Sequence, residues 1–73
     1  MPKLYSGKEI EKRLIRLGFE EVSQKGSHLK MTRTIKGRRR VVIIPMHKEV
    51  ALGTLKSVLR QAGISKEVLD GAK

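Results

Sequence analysis

Cysteine is absent from this 73-residue chain, which removes disulfides, thiolate metal ligands and thiol nucleophiles together. Aromatic residues are nearly absent as well. Tyr5 and Phe19 are the only two, too few for a sheet that reads nucleic acid by stacking bases on aromatic rings. The longest apolar run, Val41 to Ile44, ends at Pro45, and Met1-Pro2-Lys3 leads into no hydrophobic stretch of the signal-peptide kind. The protein is therefore expected to be soluble and cytoplasmic, with no membrane partner. No Gly-rich loop is followed by Lys-Ser/Thr, and no pair of carboxylates lies near a histidine, which excludes P-loop and two-carboxylate chemistry. His47-Lys48-Glu49 is half of a zinc-deaminase pattern without its P-C-x-x-C half, and two distant histidines cannot fill a tetrahedral site. Neither a metal nor a small-molecule cofactor is expected. A chain this short fits one domain, residues 1–73, and buries only roughly 60% of its unfolded surface.

Acid is missing where base is dense. Between Val22 and Lys48 there are eight basic residues, Lys25, Lys30, Arg33, Lys36, Arg38, Arg39, Arg40 and Lys48, and no Asp or Glu. The rest of the chain carries nine bases and seven acids, so the formal net charge of +10 is concentrated in the middle. Such a field selects a polyanion, and nucleic acid is the leading candidate. The alternative for one or two of Arg38, Arg39 and Arg40 is protection of an edge strand against pairing.

Local signals order the elements. Ser6 with Glu9 fits a capping box, Tyr5 with Ile10 fits a hydrophobic staple, and Ile10, Leu14 and Leu17 recur at helical spacing from about Gly7. Gly18 stops this helix, with Phe19 placed to fold back on Leu14. A weak strand over Phe19–Gln24, a turn at Lys25-Gly26, an alternating strand over Ser27–Thr34, a turn at Ile35-Lys36-Gly37 and a β-branched strand over Arg38–Ile44 predict a three-stranded meander. Leu55, Val58, Leu59 and Ala62 predict a second helix ended by Gly63-Ile64, and Ser65 is placed to cap a short C-terminal helical turn. The fold class is α+β, with both helices on one face of an antiparallel sheet. Alternation puts Leu29 and Met31 on the helix side and His28, Lys30 and Thr32 on an open, helix-free side. Val41 to Ile44 is apolar on both faces, so a partner is expected to cover what the helices do not.

A histidine in a phosphate-attracting field suits RNA, because the 2′-hydroxyl is a built-in nucleophile and an imidazole moves protons near neutral pH. His28 is the candidate acid or base, with Lys30, Arg33 and the Arg38 to Arg40 run as phosphate contacts. His47 is a possible second proton-transfer group or a structural residue. The alternative is a non-catalytic RNA-binding module, in which His28 is one more phosphate contact.

Gly26-Ser27-His28, the strand Leu29-Lys30-Met31, the basic hairpin, Ile44-Pro45-Met46-His47, Gly53-Thr54-Leu55 and the closing run Leu59-Arg60-Gln61-Ala62-Gly63-Ile64-Ser65 resemble, in order and spacing, a HicA-type toxin. The resemblance implies a double-stranded-RNA-binding-like α-β-β-β-α fold and an mRNA interferase of a type II toxin-antitoxin system. It implies His28 as the catalytic residue and a HicB antitoxin as partner. The expected RNA contacts, read from the basic field beside that histidine, are Lys25, Ser27, Lys30, Arg33, Arg38, Arg39 and Arg40. The chain departs from true duplex-binding domains, which place a lysine cluster at the start of the second helix. Here Ala51 to Lys56 holds one lysine, so single-stranded mRNA is the expected substrate.

Overall fold

A computed structural model describes residues 4–73. Helix α1 spans Gly7–Arg16, strands β1 (Glu20–Lys25), β2 (His28–Ile35) and β3 (Arg38–Pro45) follow, and helices α2 (Leu52–Ala62) and α3 (Lys66–Gly71) close the chain. The sheet is an antiparallel meander in the order β1-β2-β3. The expected helix, three strands and helix are all present, with α3 as the short C-terminal turn.

Each helix boundary has a local cause. Ser6 accepts the Glu9 N–H at 3.1 Å at the start of α1, and Ser65 accepts the Val68 N–H at 3.2 Å at the start of α3. Gly18 and Gly63 adopt φ of 96° and 70° after α1 and α2. There the N–H groups of Phe19 and Ile64 donate to the carbonyls of Leu14 and Leu59, the Schellman arrangement at both stops.

The first hairpin differs from expectation by one residue. Lys25 pairs with His28, so the turn is Gly26-Ser27 and β1 runs one residue further than the sequence pattern indicated. Gly26 takes a positive φ of 57° while Ser27 does not, the sign pattern of a turn with glycine at its first central position. Lys36 and Gly37, both with positive φ, close the second hairpin. Val22 is the extra residue of a bulge between Glu21 and Ser23, which explains why β1 alternates poorly.

Leu29 and Met31 on β2 and Val42 and Ile44 on β3 are fully buried against Ile10, Leu14, Val50, Leu55, Val58 and Leu69. Among the described residues no helix is long and apolar enough to cross a membrane. α3 is tied back to α1 by Arg13, whose Nη1 donates to the carbonyls of Leu69 and Asp70 at 3.1 and 2.7 Å, and by the Tyr5 hydroxyl, which donates to the Asp70 carboxylate. Burial, then that hydrogen bond, pushes the Tyr5 hydroxyl from 10.0 up to about 12. Hydrogen bonds from Tyr5 and Lys66 hold Asp70 below the ordinary carboxylate range.

A raised tyrosine contributes stability below its unfolded pKa and loses it as pH climbs to the folded one. The stability difference between wild type and Tyr5→Phe is therefore expected to be about 1 kcal/mol at neutral pH. It should shrink as pH rises from 10.0 toward 12. Denaturant unfolding of both proteins across that interval checks it, and a difference that stays constant would contradict the assignment.

Candidate nucleic-acid interface

The register sets which side chains share a face. Directly opposed residues lie on the same side of a sheet, and the pairs Lys25 with His28, Ser23 with Lys30, Lys30 with Ile43, Thr32 with Val41 and Thr34 with Arg39 make one row each of the face away from the buried Leu29 and Met31. That face therefore carries Lys25, His28, Lys30 and Arg39, one acid, Glu20, opposite Thr32, and Val41 and Ile43, which are 39% and 38% exposed.

Arg33, Arg38 and Arg40 fall on the other side, which the helices cover only in part. The Arg33 guanidinium lies 5.7 Å from the centre of the Phe19 ring and against Gly18. Arg40 lies so close to Gly63 that a Cβ there would meet its guanidinium carbon at 2.5 Å. Both arginines thus sit at helix C-termini, where a cation also offsets the partial negative charge of the last carbonyls. With Lys36, Ile35, Ala62 and Ile64, Arg33, Arg38 and Arg40 line a cavity of about 450 Å³ at the far end of the sheet. The basic run that is continuous in sequence is thus divided between two faces by strand alternation.

His28 opens β2 at the near end. It lines a cleft of about 430 Å³ with Ile43, Pro45, His47, Glu49, Thr54 and Gln61. The structure brings the two histidines, 19 positions apart in sequence, into one cleft. The loop that does this is pinned by backbone bonds: Met46 N–H to the Ser27 carbonyl at 2.6 Å, Gly7 N–H to the His47 carbonyl at 2.9 Å, and Val50 N–H to the Tyr5 carbonyl at 2.8 Å. Ser27 thereby serves the cleft through its backbone, joining the first hairpin to the loop that carries His47.

The surroundings of His28 are not helix-free as the sequence suggested. Thr54 and Gln61 of α2 wall the cleft, because α2 packs against β3 and runs along its outer edge. Gln61 is the residue that sequence reading missed. Its Oε1 accepts the Ile43 N–H at 2.8 Å and its Nε2 donates to Ser57 at 3.2 Å, which fixes the side chain between helix and strand. No local pattern marks it, since its partner is 18 positions away.

None of the basic residues between Val22 and Lys48 forms an ion pair among the described residues, where Lys66 with Asp70 at 2.9 Å is the pair found. Nor does a group of three His, Cys, Asp or Glu side chains converge there to hold a metal ion. The arrangement offers proton transfer at one end of a surface and unneutralised cations along the rest.

A search of the curated proteins finds no match. The sequence model of one family, described as HicA toxin of bacterial toxin-antitoxin, matches residues 7–64, from the first residue of α1 through the stop of α2.

Proposed function

Because the chain belongs to the HicA toxin family of bacterial toxin-antitoxin systems, we propose that it is a metal-independent endoribonuclease that cuts single-stranded messenger RNA and is neutralised by a HicB antitoxin. The observation that carries the proposal is the shared cleft of His28 and His47, the pair of proton-transfer groups that cleavage by the ribose itself needs. The 2′-hydroxyl attacks the adjacent phosphorus in line, the bond to the departing 5′-oxygen breaks, and the product strand ends in a 2′,3′-cyclic phosphate. His28, the first residue of β2, takes the proton from the 2′-hydroxyl. His47 delivers one to the leaving oxygen. Lys30, two residues along the same face of β2, balances charge that builds on the phosphoryl oxygens. An unpaired strand suits this chemistry because in-line geometry requires backbone freedom that an A-form helix restricts.

The test is a substrate with a single 2′-deoxy nucleotide at the cut site. Cleavage there is expected to disappear, while the all-ribose strand is cut at the same rate with and without EDTA and yields the cyclic phosphate. Cutting at the deoxy position, or arrest by EDTA, would overturn the mechanism.

The face that carries Lys25, His28 and Lys30 also leaves Val41 and Ile43 open. An acidic antitoxin with an apolar centre suits that combination and, lying over it, would occlude His28. A complex in which His28 stays fully accessible would remove occlusion as the means of inhibition.

A further inference from the structure

Three depressions follow one another along the flank of α2. The histidine cleft includes Gln61. Gln61 is also a wall of the next depression, whose other lining is Arg38, Arg39, Arg40 and Val41. Arg38 and Arg40 continue into the cavity that Arg33 and Lys36 share. Every charged side chain in the second and third depressions is basic.

Resting on the ribonuclease reading above, we infer that a single RNA strand lies lengthwise in the seam between α2 and β3, with its scissile phosphate at His28 and His47 and the phosphates on one side of it against Arg38, Arg39 and Arg40. The seam from Pro45 to Arg39 is about 20 Å long at ~3.3 Å per residue, which holds at most about six stacked nucleotides at ~3.4 Å each. Arginine suits this role because its guanidinium presents a fork of donors to phosphate oxygens. Gln61, held at both ends of its amide, is a fixed wall between the cutting end and the arginine end.

The arrangement makes the enzyme sensitive to the length of one flank only. Oligoribonucleotides trimmed from one side at a time are compared on wild type, on the Arg38→Ala/Arg39→Ala double variant, and on Lys12→Ala, whose lysine is exposed on α1 outside the seam. Both arginines are exposed and make no side-chain hydrogen bond among the described residues, and circular dichroism checks that the double variant is folded. Shortening one flank below about six nucleotides is expected to raise KM about tenfold, and shortening the other is not. The double variant should raise KM about tenfold on the long substrate and lose its dependence on the flank. Its slope of log affinity against log salt should flatten by about 1.4, at ~0.7 per phosphate lost.

Binding of an uncuttable all-deoxy strand reads the seam independently of catalysis. Arginine-dependent binding with no cleavage of any RNA by wild type would sink the ribonuclease reading and leave the seam standing. Equal dependence on both flanks, or a double variant that behaves like Lys12→Ala, overturns the seam. Loss of antitoxin affinity in the double variant with RNA cleavage intact overturns it too, and assigns these arginines to the protein partner.

Discussion

His28→Ala is expected to lower RNA cleavage by about 10²- to 10⁴-fold, the usual worth of one proton-transfer group, and to abolish growth arrest on expression. Binding of the uncuttable strand should be retained within about twofold, because His28 contributes chemistry at the end of the seam and the arginines contribute attraction along it. His47→Ala is expected to show a loss of the same order. If the two histidines act as base and acid in one step, the double variant is little worse than either single variant, since groups that act as a unit are not additive. The wild-type pH–rate profile should be bell-shaped, and each single variant should lose one limb. Cleavage at the parental rate by His28→Ala would end the assignment of that residue. A normal profile in His47→Ala would return His47 to a structural role.

The largest effect on stability is expected from a glycine outside the cleft. A Cβ on Gly7 would lie 2.5 Å from the Pro45 carbonyl oxygen and 2.7 Å from the Met46 Cα. Both are backbone atoms, which cannot swing aside as the end of a side chain can, so Gly7→Ala must push α1 away from the end of β3. Overpacking of this kind costs about 1–3 kcal/mol, and in a protein of this size each kcal/mol lowers Tm by about 4–8 °C. The same displacement pulls on the bond from the Gly7 N–H to the His47 carbonyl, so cleavage should fall beyond what unfolding explains. Gly26→Ala is the matched comparison, with φ of 57° and nothing within 4 Å of an added Cβ. It is expected to cost about 1–2 kcal/mol through backbone strain alone. Thermal unfolding of the two variants ranks them, and a Gly7→Ala protein as stable as wild type would show that the helix and strand end yield freely.

What could be read from the sequence is what depends on near neighbours. Ser6, Gly18, Gly63 and Ser65 mark helix ends because a cap or a stop is decided within a few residues. The alternation of Leu29 and Met31 with His28 and Lys30 set the faces of β2 before any partner strand was known. The miss at the first hairpin, one residue, arises where Val22 breaks the alternation of β1, so that Gly26 alone had to locate the turn. The site was less legible. That Arg33 and Arg40 settle on the glycine stops of α1 and α2, while Arg39 faces the opposite way, follows from strand parity and from where the helices end. The meeting of His28 and His47 depends on three backbone bonds among residues remote in sequence, and the place of Gln61 on one long-range bond. Composition and spacing carry no trace of either.

The bond from the Ile43 N–H to Gln61 also limits how the sheet can grow. Peptide groups along a strand point alternately to its two sides, so Arg39, Val41, Ile43 and Pro45 present theirs to the outer edge of β3. Proline has no N–H to offer, and Gln61 occupies that of Ile43. Among the described residues only the stretch near Arg39 and Val41 retains free donors on that edge, too short a ledge to template another strand. Any chain that extends this sheet by main-chain pairing must therefore add beside β1, and two copies joined that way would meet β1 to β1 about a two-fold axis, leaving the histidine cleft and the arginine seam of each facing outward.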